Sequence, residues 1–161
     1  MQLILMRHGE ADFLVNNLHN SLQGSDDARV LTARGRKQAK LTAQQILKDH
    51  QPDLFVVSPL IRAQQTQQAF ADVCADVPVL NYDGIKPEDD ARVALQWLAG
   101  LQAECIVVVC HMNIIAYLAG LLCSESPRSF ELAEARVYEQ PAIGLGFSSE
   151  INRFVPQRYV P

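Results

Sequence analysis

The sequence predicts an α/β fold: a three-layer α/β/α domain built on a mostly parallel central sheet with an antiparallel edge strand. Three observations predict it. Short apolar runs alternate with amphipathic helical patterns in βαβα order. Those runs lack polar alternation, as strands covered on both faces do. The last quarter of the chain departs from this order and reads as strand after strand, which calls for an antiparallel edge. With 161 residues, 48% hydrophobic and 20% charged, the chain is expected to form a single domain over 1–161. At this size roughly 68–70% of the unfolded surface can be buried without disulfide or metal staples.

The elements follow in order. Leu3–Met6 reads as a strand buried on both faces. Thr32 can cap a helix running to about Asp49, with Ala39, Ala43, Ile46 and Leu47 on one face. Asp53–Val57 is the next strand, and Ser58-Pro59 is expected to open a helix, Ser at the cap and Pro in the first turn. Val77–Leu80 is a weaker strand. Glu88–Leu101 reads as a helix with Val93, Trp97, Leu98 and Leu101 on one side. Cys105–Cys110 is the strongest strand signal, followed by a helix striped by Ile114, Ile115, Leu118, Leu121 and Leu122. Phe130–Glu139 alternates loosely, and Phe147–Phe154 is a further strand candidate. The longest irregular stretch, about Gly9 to Leu31, is polar and long enough to carry function.

Composition excludes several classes. A formal net charge of −4 argues against nucleic-acid binding through a broad basic face. No apolar run reaches the ~18 residues of a membrane helix, and the amino terminus lacks the basic region and cleavage site of a secretory signal. A soluble, cytoplasmic protein is expected. Cys74, Cys105, Cys110 and Cys123 form no C-x-x-C pair, and Cys105 and Cys110 point to opposite faces of one strand, so reduced core thiols are expected.

In open α/β sheets, ligands bind beyond the carboxyl ends of the strands. The first strand delivers Arg7-His8-Gly9-Glu10 to that edge, the second delivers Ser58 and Arg62, and the strongest delivers His111. His19 and His50 read as surface residues. Arginine forks match phosphate oxygens and stay charged. An imidazole among them can attack phosphorus, and a second can donate to the phosphoryl oxygens. Gly9 would let the backbone approach the phosphate. Taken singly, each of these residues is more often structural than catalytic; their arrival together at three strand ends is the informative feature. A rival reading makes His8, His111 and Glu10 a two-histidine, one-carboxylate metal site, but Arg7 and Arg62 would repel a dication. A phosphate-binding P-loop, a G-x-S-x-G elbow and a dinucleotide fingerprint are all missing. Nor does any cysteine have an arginine six positions on: those positions hold Leu80, His111, Ala116 and Ser129.

Four segments carry a family resemblance. Leu3-Ile4-Leu5-Met6-Arg7-His8-Gly9-Glu10-Ala11 resembles the R-H-G opening of the histidine phosphatase (phosphoglycerate mutase-like) superfamily. Leu31-Thr32-Ala33-Arg34-Gly35-Arg36-Lys37-Gln38-Ala39 resembles its L-T-x-x-G-x-x-Q-A helix start. Ser58-Pro59-Leu60-Ile61-Arg62-Ala63-Gln64-Gln65-Thr66 resembles its S-x-x-x-R-A-x-x-T element, and Val109-Cys110-His111 resembles the strand end with the second histidine. The motifs stand in family order. Length, and the segment Ser25-Asp26-Asp27-Ala28-Arg29-Val30-Leu31-Thr32, make the chain similar to the small SixA-type phosphohistidine phosphatases. The resemblance implies hydrolysis of phosphate from a histidine of a histidine-containing phosphotransfer (HPt) domain or phosphocarrier protein, in two-component signalling or a related relay. On the matching positions His8 would be the nucleophile, phosphorylated in transit. Arg7, Arg62 and His111 would form the phosphate pocket, and Arg29 would add a contact. No cofactor or metal is implied, and nucleic acid and membranes are not expected partners.

Two departures stand out. The acid that many relatives place after the second arginine does not align; Gly84 stands there, and Glu10, Asp12, Asp83 and Glu88 are the remaining candidates. The stretch from Phe13 to Gly24 is longer than in close relatives. The alternatives are a small-molecule phosphomonoesterase of the same superfamily and a phosphate-binding regulatory module that does not turn over.

Overall fold

Alternation along the central strands decides the architecture. On β4 (Cys105–Cys110) every residue is buried. Ile106, Val108 and Cys110 pack into one apolar cluster, while Cys105, Val107 and Val109 pack into another on the opposite face. A strand buried on both faces must lie inside a three-layer fold, and the computed structural model, which describes residues 1–13 and 26–156, has that form. Beside β4 lie β1 (Gln2–Arg7) and β2 (Leu54–Val57), both parallel to it. With β3 (Val79–Asn81), β5 (Ala135–Glu139) and β6 (Ser149–Phe154) they make one six-stranded sheet in the order β3-β2-β4-β1-β5-β6. The β1–β5 and β5–β6 pairings are antiparallel, so the expected antiparallel edge is two strands wide.

The helices cover both faces. Ala39, Ala43 and Ile46 of α1 (Ala33–Asp49) and Ala63 of α2 (Ile61–Gln67), which continues into a 3₁₀ turn at Gln68–Phe70, pack on one side. Leu95 and Leu98 of α3 (Ala91–Ala99) and Ile115 and Leu118 of α4 (Ile114–Cys123) pack on the other. Thr32 caps α1 as expected, accepting from the Gly35 N–H at 2.9 Å. The four cysteines are free thiols.

Three local expectations are corrected. Ser58 does not cap a helix with Pro59 in the first turn. Its hydroxyl accepts from the Leu60 N–H and meets His111, and the helix begins at Ile61 after Leu60. The helix expected from Glu88 begins at Ala91, because the Asp89 carboxylate closes a turn on the Lys86 N–H and Asp90 takes the cap. His50 is not a surface residue: it is buried, bonded to Gln2 and packed edge-on against Phe154. His19 and most of the stretch from Phe13 to Gly24 lie outside the described residues. Among the described residues no helix is long and apolar enough to cross a membrane.

Register places the chemistry. Arg7 pairs with Cys110, and Val57 with Val109. The ladders extend one residue further, through His8 N–H to the Cys110 carbonyl at 3.1 Å and Ser58 N–H to the Val109 carbonyl at 3.0 Å. His8, Ser58 and His111 therefore emerge side by side at the carboxyl edge of the sheet.

Candidate active site

His8 is the most constrained group at this edge. It is buried, and its Nδ1 lies 2.7 Å from the Gly9 carbonyl oxygen. A carbonyl only accepts, so Nδ1 carries the proton and Nε2 keeps its lone pair. Burial, followed by the charges of Arg62, Arg7 and Arg29, pushes the imidazole down to about 3, although the Gly9 carbonyl pulls the other way. The ring is thus a neutral base with one nitrogen available.

His111 lies against it, with ring centroids 5.1 Å apart and tilted by 56°. Its Nε2 is 2.7 Å from Ser58 Oγ, within a fully buried pair. Burial, then His8 and the arginines, push His111 down to about 2. Its Nδ1 makes no hydrogen bond among the described residues, and neither do Arg7 Nε and Arg62 Nε; all three are buried. Leaving a buried polar nitrogen unsatisfied costs about 1–3 kcal/mol. Three such nitrogens beside a neutral His8 ring suit an oxyanion with several acceptor oxygens.

The braces come from the motifs. Gly9 donates its N–H to Thr66 Oγ1 at 3.1 Å, and that hydroxyl donates to the Arg62 carbonyl at 2.8 Å. Gln38 Oε1 takes the Glu10 N–H at 2.9 Å, and Gln65 Oε1 takes the Leu31 N–H at 2.8 Å. Gly9 has a different reason for being glycine than close approach to phosphate. A Cβ there would stand 2.5 Å from the Gly35 carbonyl oxygen, and one on Gly35 would stand 2.1 Å from the Glu10 carbonyl oxygen. The two motif glycines let the loop that carries His8 lie directly on the start of α1.

A cleft of about 480 Å³ opens in front of His8, lined by Arg7, Glu10, Asp12, Asp26, Arg29 and Arg62 among others. Arg29 lines the cleft, where it donates to the Asp12 and Ala11 carbonyls and stacks over Phe13. Asp26 has no counterpart in the sequence reading. Its carbonyl accepts from Arg62 NH1 at 2.7 Å, and its carboxylate bridges Arg62 NH2 at 3.2 Å and Arg29 NH1 at 3.3 Å. An acidic residue in a segment of unassigned role gave no signal for this. Ser58 and Thr66 stood in a motif, but their hydrogen-bond partners are set only by the fold.

Of the four acid candidates, two reach the cleft. Glu10 lines it while accepting from Thr32 Oγ1 at 2.9 Å, and Asp12 also lines it. Asp83 is held by Lys86, and Glu88 accepts from Asn113; neither lines the cleft. Gly84 is filled from the side. A Cβ there would stand 2.3 Å from the Tyr82 hydroxyl oxygen, and the Tyr82 ring is stacked on Trp97 at 3.8 Å. Any larger residue at 84 would dislodge that stack. The metal alternative also loses its ligand set: among the described residues no three His, Cys, Asp or Glu side chains stand where they could share a metal ion.

The chain is similar to proteins of one superfamily. The profile of the histidine phosphatase superfamily (branch 1) matches residues 3–86. The phosphohistidine phosphatase SixA homolog of Haemophilus influenzae is 34% identical over 145 residues, covering 81% of this chain and 82% of that protein. The structure of the protein histidine phosphatase SixA complexed with tungstate superposes with a TM-score of 0.83 at 24% identity, covering 98% of this chain and 99% of that one. A phosphoserine phosphatase from Entamoeba histolytica, solved with phosphoserine, superposes at 0.69 with 22% identity, covering 98% of each chain. At such identities the two superpositions establish the shared fold alone.

Proposed function

The chain belongs to the histidine phosphatase superfamily, branch 1, and from that premise we propose that it is a phosphohistidine protein phosphatase working through a covalent phosphate on His8. The observation that carries the reading is the fixed tautomer of His8, whose Nδ1–H is bound to the Gly9 carbonyl.

In the first step the Nε2 lone pair attacks phosphorus, the N–P bond to the substrate imidazole breaks, and its electron pair returns to that nitrogen. Arg7, Arg62 and His111 hold the phosphoryl oxygens, supplying donors where charge concentrates. In the second step water attacks phosphorus and the electron pair returns to His8 Nε2; the water's proton passes to the solvent or to a phosphate oxygen. His8 leaves as the neutral imidazole from which it began, because Nδ1 keeps its proton throughout.

The leaving group favours phosphohistidine over phosphate esters. An imidazole protonated on its distal nitrogen departs neutral, whereas an alkoxide needs a proton in the transition state, a contribution usually worth 10²–10⁴-fold. The segment around Gly84 supplies no acid, and of the two carboxyls that line the cleft Glu10 accepts from Thr32, which leaves Asp12 as the one acid an ester could use. The natural partner is therefore a phosphorylated HPt domain or phosphocarrier protein in a signalling relay, met in the cytoplasm.

The test is release of phosphate from a phosphohistidine carrier protein, wild type against His8→Ala, with EDTA present. Fast release, lost in the variant and indifferent to chelator, supports the reading. No release, together with good turnover of a small phosphate ester, replaces it with a small-molecule phosphomonoesterase. Tight phosphate binding without turnover of either makes the chain a regulatory module.

A further inference from the structure

Arg136 is a buried cation that the cleft does not use. Its Nε pairs with Glu134 Oε2, its NH2 donates to the Ser129 carbonyl at 2.7 Å, and its guanidinium lies 3.7 Å from the centre of the Phe130 ring. Glu134 also accepts the Glu131 N–H at 2.8 Å. Both residues are 3% exposed. One ion pair therefore grips the segment from Ser129 to Glu134 at its start, its middle and its end.

That segment is the seat of the phosphate-facing loop. The Phe130 carbonyl accepts from Arg7 NH1 at 2.7 Å. The Glu134 carbonyl accepts the Arg7 backbone N–H at 3.0 Å, and the Ala133 N–H donates to the His8 carbonyl at 2.9 Å. Arg7 NH1 is thus committed to protein, while Arg7 Nε has no hydrogen-bond partner among the described residues. Stability alone does not require a buried ion pair here, since apolar residues of similar volume often serve as well or better.

We propose that the Glu134–Arg136 pair is a positioning device for Arg7: by fixing the Phe130 carbonyl it anchors NH1 and so holds the guanidinium where its remaining donors serve a phosphoryl oxygen. The proposal rests on the cleft being a phosphate site, and it adds two residues outside the four family motifs to the machinery of that site.

Glu134→Gln is the decisive variant, because two accounts predict opposite signs. If Glu134 acted only through its charge, removing a carboxylate near Arg7 would tighten anion binding. If it positions Arg7, the same nearly isosteric change weakens it. Binding of orthovanadate to the full chain is measured by calorimetry for wild type, Glu134→Gln, Arg7→Met and the double variant, with thermal unfolding in parallel. The expected result is about tenfold weaker binding in Glu134→Gln and less than twofold further loss when it is added to Arg7→Met. Arg136→Lys, which keeps the charge but shortens the fork, should fall between wild type and Glu134→Gln. Unchanged or tighter binding in Glu134→Gln, or equal losses in the two Arg7 backgrounds, would overturn the proposal. Should Glu134→Gln fail to fold, Arg136→Lys carries the same cycle. Wild type that binds no vanadate would remove the phosphate site, and the proposal with it; normal wild-type binding with additive losses would remove the proposal alone.

Discussion

Arg7 and Arg62 stand at the ends of parallel strand connections, and Arg136 stands on the first antiparallel strand beside them. Arg62 and Arg136 are buried and Arg7 is partly buried, yet their hydrogen bonding differs. Arg136 pairs with Glu134, donates to Ser129 and covers Phe130. Arg7 and Arg62 each keep Nε buried and unbonded among the described residues, and burial is the main cause holding both below the ordinary arginine value. A satisfied buried cation is part of the structure. An unsatisfied one suits an anion, and that difference sets Arg7 and Arg62 apart from Arg136.

The contrast can be broken in order of expected effect. Arg62→Met keeps most of the side-chain stem and removes donors from the site. It should lower kcat/KM toward a phosphohistidine protein by about 10²–10³ while the melting temperature moves by no more than ~2 °C. A large drop in melting temperature with modest kinetic loss would make Arg62 a structural residue. Arg136→Met should act mainly on stability. It takes from Glu134 the nearer of its two arginine partners, Arg153 standing 3.8 Å away. That should cost about 3 kcal/mol, or roughly 10 °C in melting temperature for a chain of this size, with a loss in phosphate binding near the tenfold expected of Glu134→Gln. An unchanged melting temperature would put Arg136 on the wrong side of the comparison.

The histidines sharpen it further through pH. An unfolded histidine titrates near 6.5, whereas folded His8 and His111 titrate near 3 and 2. Between about pH 6 and 3 the unfolded chain therefore binds protons that the folded chain does not, and stability falls as pH falls. Each histidine contributes a slope approaching about 1.4 kcal/mol per pH unit. Thermal unfolding across that range should show a steep acid limb that His111→Asn makes shallower; equal slopes in the two proteins would contradict the depressed values. The smallest effect concerns Asp26, which is 62% exposed and pairs with Arg62 and Arg29, the arginines that the proposed function assigns to phosphate. Asp26→Asn should strengthen inhibition by inorganic phosphate roughly two- to fivefold, the scale of an exposed ion pair. Weaker inhibition would mean that Asp26 holds Arg62 in place rather than competing for it.

Much of this was legible in the sequence. The parallel core shows because β2 and β4 are apolar throughout and β1 is apolar between Gln2 and Arg7, and strand ends then predict where His8, Arg62 and His111 arrive. The helix start at Thr32 was legible from its capping side chain; those at Ser58, whose hydroxyl serves His111 instead, and at Glu88, where Asp90 takes the cap, were misread. His50 reads as polar and exposed because its covering residues, Gln2 and Phe154, are distant in sequence. The same holds for Asp26, which meets Arg62 across 36 positions, and for Phe130, which holds Arg7 across 123. Local pattern carries periodicity and caps; it does not carry contacts closed by the register of a sheet.

The most direct test of the account is where phosphate rests during turnover. The protein is mixed rapidly with a phosphohistidine carrier, quenched at alkaline pH, where phosphohistidine survives, and digested for mass spectrometry. The account predicts one phosphate on the peptide containing His8, present in wild type and missing in His8→Ala. Phosphate on the peptide containing His111, or full turnover by wild type with no phosphorylated enzyme at any quench time, would contradict it.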